Sequence, residues 1–173
     1  ESLLRVFEKE LAFKKSELSR FLPMLQGLVA GAKERPKVRF YEGAEGIRAV
    51  SDDFLKAKNK TIEGVLNLDK LGEWGIGLNS EYSQQRIKRG IQSNIIYTCQ
   101  SGPTEQASDT SKLRNAKYIH PERLPISADI TIYDNKVALL TYATKPIGVI
   151  IESGEITDTI RGMFYLIWNN LQT

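Results

Sequence analysis

Apolar positions near the N-terminus recur at alternating spacings of three and four residues, the pattern of a heptad repeat. The apolar members are Leu4, Phe7, Leu11, Leu18, Phe21, Leu25 and Leu28, with Lys14 as the polar one. We predict a coiled-coil-type helix over residues 1–35 that pairs two subunits, kinked near Pro23 because proline interrupts helical hydrogen bonding. The pattern is already under way at Glu1, so we expect another module before it. Packing of this helix on its own domain is the alternative.

From Pro36 onward, segments with strand and helix patterns alternate, which predicts a second unit over residues 36–173. Its first half is predicted to begin with a strand at 38–41, a turn at 42–46, a helix at 47–55 and a strand at 61–68. A loop containing Gly72, Gly75 and Gly77 follows. We then predict a helix that is capped by Ser80 and carries Tyr82, Ile87 and Ile91, and a strand at 95–97. This βαβαβ order predicts parallel strands joined by right-handed crossovers.

The second half begins with a polar loop at 101–111 and continues with strands. We predict strands at 117–119, 127–133, 137–142 and 147–151, with a tight hairpin turn at Asp134-Asn135. A final helix carries one apolar stripe of Ile156, Ile160, Met163, Phe164, Ile167 and Leu171. The fold class is therefore α/β, with a mixed sheet flanked by helices.

Composition adds little to this picture. The hydrophobic content of 41% suffices for a core, and no apolar run approaches the ~20 residues that span a bilayer. Cys99 is the single cysteine, so no intrachain disulfide can form and a cytoplasmic location is the simplest interpretation. The net charge of +3 neither requires nor excludes nucleic acid.

The usual catalytic and metal-binding patterns are weak. His120 is the single histidine and precedes Pro121 in a loop, and no serine lies in a nucleophile-elbow pattern. One histidine and one cysteine give no ligand spacing for a metal, and the glycine spacing matches no phosphate-binding fingerprint. The basic cluster of Arg86, Lys88 and Arg89 lacks interleaved aromatic residues, so we interpret it as a solvated face. We predict no cofactor.

One polar strand face is more informative. Ser127, Asp129, Thr131 and Tyr133 alternate with apolar residues and must face a cleft if the strand lies within the sheet. Ligands of open α/β sheets bind beyond the carboxyl ends of the strands, and four polar residues occupy those ends: Tyr41, Glu42, Asn67 and Thr98. We predict that these eight residues line one pocket for a small, polar, hydroxyl-rich ligand.

Several stretches resemble the effector region of TrmB-like transcriptional regulators. They are residues 38–47 (VRFYEGAEGI), the hairpin at 127–142, residues 146–153 (PIGVIIES) and residues 155–168 (EITDTIRGMFYLIW). The resemblance implies a dimerising helix, an effector domain with a phospholipase-D-like fold, and an N-terminal winged helix-turn-helix that would precede Glu1 and would be the only DNA-binding module. It also implies a homodimer and a small polar effector, such as a sugar or a related metabolite.

Active enzymes of the phospholipase-D-like fold carry a His-x-Lys-x-x-x-x-Asp motif. In the matching register this chain has Ser127 in place of the histidine, Asp129 in place of the lysine, and Asp134. The resemblance therefore implies a fold retained without phosphodiesterase chemistry. We expect a catalytically inactive, cytoplasmic sensor with no membrane partner. The alternatives are a phosphodiesterase or nuclease that uses His120, and an oligomerisation module without a ligand.

Overall fold

The computed structural model describes residues 35–74, 78, 80–142 and 144–171, and a compact unit begins at Pro36. The predicted dimerisation helix, with its seam from Leu4 to Leu28 and its kink at Pro23, lies outside the described residues. The strands are β1 (Lys37–Glu42), β2 (Thr61–Asn67), β3 (Gln92–Thr98), β4 (Arg114–Tyr118), β5 (Asp129–Tyr133), β6 (Lys136–Thr141) and β7 (Ile147–Glu152). The helices are α1 (Gly43–Phe54), α2 (Leu68–Glu73), α3 (Glu81–Lys88) and α4 (Gly154–Asn170).

The described strands form a single mixed sheet in the order β1-β7-β6-β5-β2-β3-β4. Strands β2, β3 and β4 are parallel, whereas β2, β5, β6, β7 and β1 follow one another antiparallel. The predicted mixed α/β sheet flanked by helices is confirmed. The prediction that β1 lies parallel to and beside β2 is wrong, because β1 pairs antiparallel with β7 at the far edge of the sheet. The parallel crossover is present between β2 and β3.

Two segments predicted as irregular are helical. Helix α1 begins at Gly43, directly after β1, where a turn over 42–46 was expected. Helix α2 occupies the start of the expected glycine loop, and the Asn67 side chain caps it by accepting a hydrogen bond from the Lys70 backbone N–H at 3.2 Å. Helix α3 begins as predicted after Ser80, whose hydroxyl accepts from the Ser83 N–H. It ends at Lys88, so Ile91 lies beyond it.

Each face of the sheet carries its own apolar core. On one face, α1 packs Ile47, Val50 and Phe54 against Tyr133, Leu140 and Ile150. On the other face, α4 packs Phe164 against Ile96 and Ile132. Met163, predicted on the buried stripe of α4, is instead 56% exposed. No described helix is long and apolar enough to cross a bilayer.

The β5–β6 hairpin has the predicted turn, in which Tyr133 pairs with Lys136 and Asp134 adopts a left-handed conformation with φ +48°. Aspartate tolerates this region better than most residues. The Asp134 carboxylate also accepts hydrogen bonds from the backbone N–H groups of Lys58 and Asn59, at 2.9 and 3.1 Å to Oδ1. The turn thereby fixes the loop between α1 and β2.

Two arginines are buried in positions that the sequence did not reveal. Arg86, expected on a solvated face, is 2% exposed and donates to the carbonyls of Ile91, Leu113 and Lys112. Arg114 donates to the carbonyls of Ala107, Leu78 and Gln106 at 2.7–2.9 Å. Two 3-10 turns, Glu105–Ala107 and Thr110–Lys112, lie in or at the end of the predicted polar loop at 101–111, and Arg114 holds the first of them.

Candidate functional site

Two of the predicted site residues meet at the carboxyl end of β2. The Asn67 backbone N–H donates to Asp129 Oδ1 at 2.9 Å, and the Asn67 side-chain amide donates to the Ile126 carbonyl at 3.2 Å. Thr98 is buried beside Asn67 at the end of β3. Ser127 is exposed, precedes β5, and its carbonyl accepts from Lys70 Nζ at 3.2 Å. This corner of the sheet is therefore held together by side-chain and backbone hydrogen bonds.

Three of the other predicted residues lie elsewhere. Tyr41 and Glu42 belong to β1, separated from β5 by β7 and β6, and strand spacings of about 4.8 Å place them roughly 14 Å from Asp129. Glu42 is ion-paired with Lys145. Tyr133 is at the opposite end of β5, where its hydroxyl donates to Asp53 Oδ2 at 2.7 Å. The eight residues therefore do not line one pocket.

Asp53, on the sheet-facing side of α1, is the centre of a separate polar network. Besides Tyr133, Lys136 Nζ contacts its Oδ2 at 2.8 Å and Arg39 Nη2 lies 3.5 Å away. Burial by itself would raise the pKa of Asp53, but the hydrogen bonds from Lys136 and Tyr133 and the charges of Lys136 and Arg39 lower it below its usual value. This satisfied network anchors α1 to β6, which is a structural role.

A cavity of about 80 Å³ lies between the sheet and helices α1–α3; we call it the inner cavity. Asp129 and Thr131 from the predicted polar face line it, together with Tyr142, which follows β6 on the same face. Apolar side chains form much of the remaining wall, among them Phe54, Ile62, Leu66, Leu71, Ile95 and Leu140. The inner cavity is thus a mainly apolar space with a polar end at Asp129 and Tyr142.

Asp129 and Tyr142 form a polar pair at that end. Asp129 is 1% exposed and Tyr142 is 9% exposed. The two side chains face each other, and the Tyr142 hydroxyl lowers the pKa of the Asp129 carboxyl as a hydrogen-bond donor does. Neither Asp129 Oδ2 nor Tyr142 Oη has a further hydrogen-bond partner among the described residues. The pair therefore gives the mainly apolar cavity one polar end.

Burial controls the ionisation of this pair. It raises the pKa of Asp129 to about 7, against the opposing effects of the Asn67 N–H, the Tyr142 hydroxyl and the Lys70 charge. Burial and the adjacent Asp129 also raise the pKa of Tyr142 above its usual value. Tyr142 therefore stays neutral, and Asp129 changes charge near neutral pH.

A larger depression, the outer groove, lies between α1 and α3 and has a volume of about 420 Å³. Its wall combines the Trp74 indole with polar side chains from both helices: Arg48, Asp52, Glu81 and Gln85. Ser51 and Tyr82 line both the outer groove and the inner cavity. Tyr82 is thus part of the wall between the two spaces. Its ring makes an edge-to-face contact with the Phe54 ring, with 6.2 Å between the ring centroids.

Sequence reasoning missed Tyr142, Tyr82 and Trp74. The alternation of Ala138, Leu140 and Tyr142 along β6 places Tyr142 on the same face as its neighbours in the core, and this signal was present in the sequence. Trp74 follows the end of α2 in a segment without periodicity, so nothing in the sequence pointed to it.

No protein-family model matches the sequence, and no curated protein matches it. Solved structures do match. The archaeal chromatin protein TrmBL2 superposes with a TM-score of 0.55 at 14% identity, covering 99% of this chain. The matched part is 66% of the TrmBL2 chain, so this chain spans just under two thirds of that relative's length. The phospholipase D family member Nuc from Salmonella typhimurium superposes with a TM-score of 0.54 at 12% identity, over 80% of this chain and 97% of Nuc.

NucT from Helicobacter pylori also superposes, with a TM-score of 0.53 at 9% identity, over 79% of this chain and 98% of NucT. The unit has a phospholipase-D-like fold. Identities this low establish the fold alone, and any chemistry depends on the residues of this chain.

The residues in the motif register of the phospholipase-D-like fold have structural contacts. Asp129 is bound to the Asn67 N–H, and Asp134 holds the loop at Lys58 and Asn59. The His120 side chain is 56% exposed, and its Nδ1 accepts from the Glu122 N–H at 3.3 Å. The described residues contain no cluster of three or more histidine, cysteine or acidic side chains placed to hold a metal ion.

Proposed function

We propose that this chain is the dimerisation and effector-sensing region of a TrmB-like transcriptional regulator and that it acts in the cytoplasm without catalysing a reaction. The observation that carries the sensing role is the inner cavity itself, a mainly apolar space whose one end is formed by the buried polar pair of Asp129 and Tyr142. The fold similarity to TrmBL2, a protein that binds DNA, supports the regulatory context. DNA would be read by a winged helix outside this chain.

The residues at the motif register support binding rather than phosphodiester chemistry. A nucleophile needs an adjacent base, and a transferred phosphoryl group needs positive charge. Ser127 is exposed with no histidine next to it in sequence, and the buried Asp129 would repel a phosphate once ionised. A ligand that binds one state of the dimer more tightly than the other would shift the population toward that state. The two states would differ in the spacing of the DNA-reading modules, so that only one of them fits the operator.

The absence of phosphodiesterase activity is the first expected result. We expect the purified chain to hydrolyse bis-p-nitrophenyl phosphate no faster than a buffer blank, with and without added divalent metal ions. His120→Ala should behave identically, because His120 projects into solvent and is engaged by the Glu122 N–H. Hydrolysis by the wild type that His120→Ala abolishes would instead establish the enzymatic alternative.

Pairing through the N-terminal heptad is the second expected result. Carboxylates in the seam would bring like charges together at the helix pair, so Leu11→Asp/Leu18→Asp should convert a dimer into a monomer in sedimentation velocity. The matched control is Lys9→Asp/Ser16→Asp, which adds two carboxylates at heptad positions opposite the seam and should leave the dimer intact. A dimer that survives the seam variant would place subunit contacts elsewhere.

A further inference from the structure

We propose that the β1 strands of two copies of this chain pair antiparallel, edge to edge, with Phe40 of each copy at the two-fold axis, so that the two sheets join into one. This contact goes beyond the proposed function and rests on its homodimer. Three features of β1 carry it: an uncovered sheet edge, apolar side chains exposed on that edge, and charges that favour one register of self-pairing.

The two edges of the sheet differ. At the β4 edge, the backbones of Asp109 and Arg114 exchange two hydrogen bonds, at 2.9 and 3.0 Å, and the Ala116 N–H donates to Ser108 Oγ at 3.3 Å. The segment before β4 therefore covers that edge. At the opposite edge, β7 is the partner of β1 among the described strands, and the other side of β1 has none. Such an edge offers a row of backbone donors and acceptors to a further strand.

The backbone groups on the free side of β1 can be assigned from its ladder with β7. The Gly43 N–H donates to the Pro146 carbonyl at 2.9 Å, and these two residues continue the β1–β7 register by one step. Only alternate residues of an antiparallel strand exchange hydrogen bonds with a given neighbour, so the odd-numbered residues of β1 face β7. The even-numbered ones present their backbone groups to the free edge: Val38, Phe40 and Glu42.

The first two of these residues also expose apolar side chains, Val38 at 61% and Phe40 at 59%. They lie on the α4 face of the sheet, because the alternating residues Arg39 and Tyr41 contact Asp53 and the core beneath α1. Helix α4 packs on β2, β5 and β6, which leaves both side chains in solvent. An edge that combines free backbone groups with exposed apolar side chains is a site of association with another strand.

The sequence of β1 favours a second copy of itself as that strand. A two-fold axis perpendicular to the sheet keeps every side chain on its own face, and an axis at Arg39 or at Phe40 pairs the most residues of β1. An axis at Arg39 would place two guanidinium groups directly opposite each other, which is destabilising. An axis at Phe40 places the two phenyl rings side by side and puts Arg39 opposite Tyr41, whose ring attracts a cation. Self-pairing at Phe40 therefore combines apolar contact with compatible charges.

The size of the contact ties it to the proposed dimer. One short strand from each copy buries far less than the roughly 1,200 Å² at which stable interfaces begin, so the contact would not hold two free copies together. Strand β1 begins at Lys37, two residues after the end of the predicted dimerisation segment at 1–35. Pairing of that segment would raise the effective concentration of one β1 strand for the other, which makes a weak contact sufficient.

The contact would also be connected to the two spaces described above. Strand β1 continues into α1 at Gly43, and Ser51 of α1 lines both the inner cavity and the outer groove. Arg39 of β1 lies 3.5 Å from Asp53 near the end of the same helix. A ligand that shifts α1 would therefore act on the contact between the two copies.

Disulfide trapping tests the contact and its register. Cys99 is the single cysteine, so a full-length Cys99→Ser chain is a thiol-free background. In it, Phe40→Cys places two thiols across the axis, with Cα atoms about 5.5 Å apart, which suits a disulfide. Val38→Cys is the register control, because its two copies would lie four residues, or about 13 Å, apart along the strands. Leu166→Cys, at a 68% exposed position on α4, is the control for random collisions.

The variants are oxidised with copper phenanthroline in air, and the linked dimer is followed on non-reducing gels. We expect Phe40→Cys to form the linked dimer at least about tenfold faster than Val38→Cys or Leu166→Cys, because its thiols are held together. Thermal unfolding of each variant confirms that it is folded. Equal rates for the three variants, as for an edge that takes a different partner or none, overturn the proposal. Linkage through Val38→Cys as fast as through Phe40→Cys overturns it as well.

The same cysteine variants in the Leu11→Asp/Leu18→Asp chain separate this contact from pairing through the heptad. A slower Phe40→Cys reaction in that chain supports both. A rate that does not change retains the β1 contact and contradicts the role of the heptad. A wild-type chain that sediments as a dimer without preferential linkage at Phe40 retains the heptad pairing and overturns the β1 contact.

Discussion

Asp129→Asn is expected to stabilise the protein above neutral pH and to abolish a pH dependence that the wild type shows between about pH 4 and pH 7. Burial raises the pKa of the Asp129 carboxyl from 3.8 to about 7 in the folded chain. The folded state therefore holds its proton more tightly than the unfolded state, and the free energy of unfolding falls as pH rises through this range. At about 1.4 kcal/mol per pH unit, the full effect is at most roughly 4–5 kcal/mol.

The measurement is urea unfolding at pH 5, 6, 7 and 8, with the difference between variant and wild type plotted against pH. Asparagine retains an acceptor for the Asn67 N–H, so the contact at 2.9 Å can persist. Groups common to both proteins cancel in the difference. The lowered pKa of Asp53 makes the free energy of unfolding rise with pH, but only below about pH 3.8, which is outside the measured range. Thr131→Val, on the same face of β5, is the uncharged control and should differ from wild type equally at every pH. A pH-independent difference for Asp129→Asn would show that the carboxyl ionises normally.

The second large effect is expected from Arg114. Replacement by methionine keeps much of the side-chain volume but removes the donors that serve the carbonyls of Ala107, Leu78 and Gln106. The bond to the Ala107 carbonyl is buried and those to Leu78 and Gln106 are partly buried. Leaving a buried carbonyl unpaired costs roughly 1–3 kcal/mol and a partly buried one less, so we expect Arg114→Met to lower the free energy of unfolding by about 2–4 kcal/mol. Urea unfolding measures this loss.

Limited proteolysis adds a local measurement, because the segment at 101–111 would lose its attachment and should be cleaved faster in Arg114→Met. Arg123→Met, at an exposed arginine in the loop before β5, is the matched control and should unfold like the wild type. A loss below about 1 kcal/mol would mean that the loop finds other donors and that the guanidinium is dispensable.

The elements that could be predicted from the sequence are those governed by local rules. The β5–β6 hairpin follows from alternation and from Asp134-Asn135, and α4 follows from its apolar stripe and the Ser153 cap. The position of β1 could not be predicted, because its partner β7 lies more than a hundred residues away and the local pattern carries no pairing information. Arg86 was misassigned for a related reason, since arginine is rarely buried and its carbonyl partners come from other segments.

The candidate site was predictable to a similar extent. Two separate signals led to residues that are in contact, the carboxyl end of β2 for Asn67 and the alternation along β5 for Asp129. Alternation placed Tyr133 on the same face as Asp129 but said nothing of depth along the strand, where four residues correspond to about 13 Å. Tyr133 therefore joins Asp53 instead of the inner cavity. The position of Tyr142 beside Asp129 depends on the register in which β6 pairs with β5, which local alternation does not specify.

The hairpin aspartate has a consequence for motif scanning. Asp134 ties its turn to the Lys58–Asn59 backbone, and its own carbonyl receives Arg161 from α4 at 2.8 Å. These contacts give an aspartate at this position a structural role that does not depend on any reaction. A search that scores this position as the final aspartate of the His-x-Lys-x-x-x-x-Asp motif would therefore count a residue that supports the hairpin as evidence of catalysis.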